Sequence, residues 1–158
     1  MAKGEHNYKV SVEWTGNQGS GTSGYRDYTR DHVIRADRKP DIPGSSDPAF
    51  LGDPSRWNPE DLLVAAASAC HKLWYLHLCA DAGIRVMTYM DDAHGVMKEG
   101  PDGGRFTDIV LRPRVTIARG DDEALALQLH HAAHAQCYIA NSFNFPVRCE
   151  ATISIGEA

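Results

Sequence analysis

Asn58-Pro59-Glu60-Asp61-Leu62-Leu63-Val64-Ala65-Ala66-Ala67-Ser68-Ala69-Cys70 opens a helix and sets a cysteine deep inside it. Asn58 is the N-cap, Pro59 takes the first helical position, where a missing N–H costs nothing, and Glu60 and Asp61 face the positive end of the helix dipole. The pattern runs to about Ala82, and Gly83 supplies the stop. Leu63, Ala66, Ala67, Cys70, Leu73, Trp74, Leu76 and Leu78 surround most of its circumference, which predicts a helix buried on nearly all sides. One chain of 158 residues would struggle to cover it alone.

Upstream, Tyr8, Val10, Val12 and Trp14 alternate with polar residues as a half-buried strand. Gly16 to Gly24 is a loop by composition, and Tyr25 to Ala36 reads as a second strand with Arg26, Tyr28, Arg30, His32 and Ile34 on one face. Asp37 to Trp57, rich in Pro, Gly, Ser and Asp, predicts a long loop with one turn of structure. Downstream, Ile84–Met97 and Phe106–Ala118 form a hairpin about Glu99-Gly100-Pro101-Asp102-Gly103-Gly104. Asp121-Asp122-Glu123 open a second helix that ends near Asn141, and Val147 to Ile155 alternates as a last strand. The order ββ-α-ββ-α-β, with sheet and helix segregated, is an α+β domain covering 1–158.

The composition, 42% hydrophobic and 23% charged, fits one globular domain with a core. A net charge of −5 argues against nucleic-acid or anionic-membrane partners, which need a dominant cationic surface. The apolar stretch Leu62–Cys70 is too short and interrupted to span a bilayer. The N-terminal Met1-Ala2-Lys3-Gly4-Glu5-His6-Asn7 lacks the apolar core of a secretory signal, so a cytoplasmic protein with reduced cysteines is expected.

Gly19-Ser20-Gly21-Thr22-Ser23-Gly24 matches the dinucleotide fingerprint letter for letter. That fingerprint needs a helix N-terminus facing the pyrophosphate, and a strand follows here, so the segment reads as a hairpin connection and no cofactor is expected. His130, His134 and Cys137 project from one helical face at i, i+4, i+7, which permits a metal-binding or redox-sensing module; against it, a fourth ligand must come from elsewhere, such as Cys70 or His77. Cys79 and Cys149 read as core residues. Cys70 on its own reads most often as a small buried hydrophobe; a reactive thiol needs a cation to lower its pKa, from Arg26, Arg30, Lys72 or a protonated histidine, and a strand arginine is favoured because Lys72 faces elsewhere on the helix. Glu60, ten residues earlier on the same helix, is about 15 Å away along the axis and about 80° around it. The two cannot meet within one straight helix, and helix-dipole complementation is the plain alternative for Glu60.

The stretch Asn58-Pro59-Glu60-Asp61-Leu62-Leu63 through Ala69-Cys70, with Ala133-His134-Ala135-Gln136-Cys137-Tyr138-Ile139-Ala140-Asn141-Ser142, resembles the OsmC/Ohr family of osmotically inducible and organic-hydroperoxide-resistance proteins. The resemblance implies an intertwined homodimer, with sheets from both subunits wrapped around two central helices. It also implies a thiol peroxidase in which Cys70 is the peroxidatic thiolate, Cys137 the resolving cysteine and Glu60 the carboxylate that orients an arginine, either Arg26 or Arg30. Its partners would be a peroxide and an external thiol reductant, such as a lipoylated protein or small dithiol. His71 and Lys72 depart from the apolar or aromatic residue usual after the cysteine, and the segment Lys39–Trp57 is long. A more polar pocket would favour hydrogen peroxide or a polar peroxide. A family member that binds a small ligand without turning it over is a third possibility.

Overall fold

Helix α1 (Pro59–Asp81) starts and stops where its local chemistry dictates. Asn58 Oδ1 accepts the Asp61 backbone N–H at 2.7 Å, with Glu60 and Asp61 in the first turn. At the far end Gly83 adopts φ +76°. Its N–H donates to the Ala80 carbonyl at 3.2 Å and that of Ile84 to the Cys79 carbonyl at 2.9 Å, the paired bonds of a Schellman stop. The computed structural model describes residues 4–156. Within the one domain expected from length and composition, the chain groups into two compact units divided between Leu62 and Leu63.

In the first unit, β1 (Ser11–Trp14), β2 (His32–Arg35) and β3 (Ile42–Gly44) form an antiparallel sheet in that order. The β1–β2 ladder pairs Ser11 with Arg35 and Trp14 with His32, then continues irregularly to a bridge between Asn17 and Tyr28. At its tip Asn17 Oδ1 accepts the N–H groups of Gly19 (2.9 Å) and Gly21 (3.0 Å). Those amides are spent inside the loop and no helix follows, so the glycine-rich segment is the expected hairpin connection.

The expected strand Tyr25–Ala36 is a strand only over His32–Arg35, so Arg26 and Arg30 do not share a strand face. Arg30 accounts for the difference. Its guanidinium donates to the carbonyls of Tyr28 (2.8 Å) and Tyr25 (2.7 Å) and lies 4.2 and 4.4 Å from their ring centroids. Acceptors that a ladder would use are taken by the side chain, and the segment curls around its own cation. Asp37–Trp57 has the expected single turn, a 3₁₀ turn at Pro48–Phe50, but also β3. Buried Ser45 fastens this segment: its hydroxyl donates to Asp31 at 3.2 Å and accepts the Asp53 N–H at 3.1 Å.

In the second unit, β4 (Val86–Asp91), β5 (His94–Gly100), β6 (Gly103–Leu111) and β7 (Pro113–Ile117) make the expected hairpin, with Gly100 opposite Gly103 across Pro101-Asp102. Each arm breaks once, after Asp91 and at Arg112, so four strands replace two. Asp91 holds the break, accepting the Arg112 N–H at 2.6 Å and the Ser68 hydroxyl of α1 at 2.5 Å. Helix α2 (Glu123–Gln136) is N-capped by Asp122, which accepts the Leu125 N–H at 3.0 Å. It ends five residues before the expected Asn141, because Cys137 turns to ψ 105° and Asn141 Nδ2 donates back to the Ala135 carbonyl at 3.1 Å. The expected last strand is two, β8 (Val147–Cys149) and β9 (Thr152–Ile155). They run parallel to β6 and β7, giving sheets ordered β5-β6-β8 and β4-β7-β9.

Helix α1 buries Ala67, His71, Tyr75 and Cys79, four residues at strict i, i+4 spacing. Asp61, Ala65, Ala69, Leu73, His77 and Asp81 form an exposed stripe at the same spacing, with Leu73 63% exposed. The expectation of burial on nearly all sides therefore does not hold within a single chain. The helix is also longer than its Leu62–Cys70 stretch indicates: it has 23 residues, and an 18-residue window within it has a mean hydropathy of 1.2, so it is long and apolar enough, by length and composition alone, to cross a membrane. A core helix has the same profile, and here Tyr75 and Cys79 pack with Ile84, Val115, Ile117, Ala126 and Ala133, and Ala67 with Ile109, Leu111 and Val147.

Gly83→Ala tests the helix stop. Nothing lies within 4 Å of a Cβ built there, so the cost is conformational alone. We expect about 1 kcal/mol lost in chemical denaturation with the denaturant dependence unchanged.

Candidate functional site

Cys70 sits midway along α1, and Cys137 is the C-cap of α2. The two thiols are neighbours and are not bonded to one another. Cys137 is buried and its thiol is pushed up to about 11, chiefly by burial, with the adjacent Cys70 sulfur adding to the shift and the backbone N–H of Ala140, 3.5 Å from Cys137 Sγ, opposing it. Cys70 is half-buried.

The Asn-Ser pair after Cys137 builds the turn that presents it. Asn141 N–H donates to the Cys137 carbonyl at 3.0 Å, and the Ser142 hydroxyl donates to the Tyr138 carbonyl at 2.7 Å. Beside the thiols, Trp74, one turn past Cys70, meets Tyr138 edge-on with ring centroids 5.5 Å apart. Phe143 and Phe145 stack at 4.7 Å and pack against Ala67, Ile109 and Leu111, which is core packing.

Glu60 is half-buried in the first turn of the unbroken α1, so the ten residues to Cys70 keep the full helical separation of about 15 Å. Arg26 is exposed, and Arg30 is held between Tyr25 and Tyr28. Both arginines belong to the first compact unit, and Cys70 and Cys137 to the second.

The sequence reading missed a cluster. His71 is fully buried, not a lining residue of a polar pocket, and its Nε2 lies 3.0 Å from His130 Nδ1 with the rings nearly coplanar at 4°. Cys149 Sγ is 3.6 Å from the first nitrogen and 3.9 Å from the second. His130 thus groups with His71 and Cys149, not with His134 and Cys137 as the helical spacing allowed. Tyr75 stacks on His130, with ring centroids 3.8 Å apart. Burial lowers His71 to about 4, aided by nearby His134 and opposed by Asp91; it lowers His130 to about 3, aided by His71 and His131. Burial raises the Cys149 thiol to about 12, with Asp91 adding to the shift. The signal in the sequence was a polar stripe, His71-Tyr75-Cys79, at core spacing on an otherwise alanine-rich helix.

Three thiols are thus held protonated, those of Cys79, Cys137 and Cys149, each raised mainly by burial. A raised thiol pKa means less thiolate at neutral pH, hence slower attack on an electrophile. A brief iodoacetamide pulse on the reduced native protein at about pH 7.5 should therefore label Cys70 first, read by peptide mass spectrometry. Equal labelling of Cys137 would contradict this assignment.

The OsmC-like protein family model matches residues 52–152, well over half of the chain, and spans both cysteines of the pair. An OsmC-like protein of unknown function from Vibrio cholerae is similar in structure, with TM-score 0.84 and 29% identity, covering 94% of this chain and 100% of its own. An organic hydroperoxide resistance protein from Elizabethkingia anophelis (TM-score 0.71, 16% identity, covering 98% and 100%) shares the fold. So does the organic hydroperoxide resistance protein OhrB of Bacillus subtilis (TM-score 0.62, 21% identity, covering 93% and 98%). No curated protein matches the chain in sequence. The helix that carries Cys70, the α+β architecture and the family match agree, and the chain belongs to the OsmC-like protein family.

Proposed function

We propose that the protein is a thiol-dependent peroxidase that reduces hydroperoxides through Cys70 and Cys137. The observation that carries this reading is the apposition of two reduced thiols, one half-buried and one buried with its proton retained. Similar structures named organic hydroperoxide resistance proteins support it at the level of the fold.

In the reaction, the Cys70 thiolate attacks one peroxide oxygen; the O–O bond breaks, and the departing oxygen takes up a proton to leave as an alcohol or water. The sulfenic acid on Cys70 condenses with Cys137, releasing water and forming a disulfide. An external dithiol then reduces that disulfide, and a cytoplasmic setting would supply one. The high proton affinity of Cys137 fits the resolving role, since the thiol stays inert until a sulfenic acid forms next to it.

Charge building on the leaving oxygen calls for a cation, and a guanidinium oriented by a carboxylate provides one in fixed geometry. Arg26 or Arg30, with Glu60, takes this role. Helical separation keeps Glu60 from the thiol on its own α1, so the reading includes a homodimer in which a second copy supplies the carboxylate. The exposed Ala65-Ala69-Leu73 stripe offers that copy an apolar surface. His71 is turned into the core, which removes one of the residues behind the expectation of a polar peroxide; Trp74 and Tyr138 beside the thiols favour organic hydroperoxides.

Under a dithiol reductant, Cys70→Ser should reduce peroxide consumption to background. Cys137→Ser should keep a first turnover and then accumulate sulfinic acid at Cys70. Mass spectrometry of peroxide-treated protein should find a Cys70–Cys137 disulfide. Undiminished turnover in Cys70→Ser would sink the reading.

A further inference from the structure

The peroxidase reading leaves the cluster of His71, His130 and Cys149 without a role. We propose that it is a transition-metal site, with His71 Nε2, His130 Nδ1 and Cys149 Sγ as ligands and a fourth position open to the cleft along α2.

The dimensions support the assignment. A tetrahedral zinc ion with Zn–N of about 2.0–2.1 Å and Zn–S of about 2.3 Å sets N···N edges of about 3.3 Å and N···S edges of about 3.6 Å. The three atoms here stand 3.0, 3.6 and 3.9 Å apart, each within a few tenths of an ångström of such a face. A hydrogen bond between the two core histidines accounts for the first distance and for the near-parallel rings, 5.3 Å apart at their centroids. It gives no reason for a thiol within 3.6 and 3.9 Å of the same two nitrogens.

The ligands come from three elements, α1, α2 and β8, so the site is assembled by the fold and not by one helical face. His71 and His130 are buried, which fixes their rings. A cleft of about 540 Å³ reaches the cluster, lined by His130, His134, Arg148, Cys149 and Glu150 among others. It gives an ion a way in and leaves room for water or a small ligand in the fourth position. His134, one turn along α2, borders this cleft with its Nδ1 buried and without a hydrogen-bond partner among the described residues. Asp91 lies close enough to act on both His71 and Cys149 and would offset the positive charge left after one thiolate binds a divalent ion. Binding exchanges the Cys149 proton for the metal, with no change in oxidation state. Two imidazoles and one thiolate suit borderline-soft ions such as Zn²⁺ over Mg²⁺ or Ca²⁺.

The test is titration of the reduced full chain with Co²⁺ and Zn²⁺ in a phosphine reductant. One equivalent of Co²⁺ should give a thiolate charge-transfer band in the near ultraviolet and strong visible bands, both bleached by Zn²⁺. Cys149→Ser should abolish the charge-transfer band and weaken Zn²⁺ binding more than about 100-fold, beyond the 10–100-fold typical of outer-shell losses. The Cys70→Ser/Cys137→Ser double variant should keep both properties. If Cys149→Ser fails to fold, the zinc-edge X-ray absorption spectrum of the wild-type protein decides, with one sulfur and two nitrogens expected. A two-sulfur shell, a band that survives Cys149→Ser but is lost in the double variant, or no stoichiometric binding would each overturn the proposal.

Discussion

A fully buried imidazole on a core helix must find a partner, and the partner of His71 sets the register between α1 and α2. An unpaired ring nitrogen in an apolar interior costs on the order of 1–3 kcal/mol; His71 Nδ1 and His130 Nε2 have no hydrogen-bond partner among the described residues, so the 3.0 Å approach of the other two ring nitrogens is a strong positional constraint. Tyr75, one turn further along α1, then stacks on His130, while Cys70, one residue before His71, comes up beside Cys137 at the end of α2. These meetings place the thiol pair and the histidine cluster on adjacent residues of α1, Cys70 and His71. A shift of one helical turn would separate both pairs at once.

The two halves of this arrangement differ in chemistry because they differ in surroundings. Cys137 and Cys149 are both proton-retaining thiols, yet one faces a second sulfur and the other faces two imidazoles that burial keeps neutral. Sulfur next to sulfur is suited to exchange, and sulfur next to neutral nitrogen to sharing a cation. Two aromatic groupings, Trp74 with Tyr138 and Tyr75 with Tyr89, flank the two sites separately.

Much of the frame was legible in the sequence because it rests on local chemistry. Asn58 and Pro59 start α1, Gly83 ends it, and Pro101-Asp102 closes the hairpin, each through atoms within a few residues. What was not legible depended on which side chains capture backbone groups, some a few residues away and some distant. Arg30 withdraws carbonyls from the expected strand, Asp91 breaks the hairpin arms by bonding Arg112 and Ser68, and Asn141 shortens α2 by capping Ala135. The alternation around Cys149 correctly turned it inward, but its meeting with His71 spans 78 residues and leaves no periodic trace. The pairing of Cys70 with Cys137 was legible only through family resemblance, since spacing says nothing across separate helices.

The parallel strands β8 and β9 have a kinetic meaning. Ile109 pairs with Val147 and Val115 with Ile153, each across a separation of 38 residues, and the chain between them carries α2. Both sheets therefore gain their third strand by closing overlapping versions of the same loop. Once the first closure has met the entropic cost, the second adds little. Folding of this unit should be steeply cooperative, with α2 delivered to α1 in the same event, so that Cys70 and Cys137 of a half-made molecule remain apart.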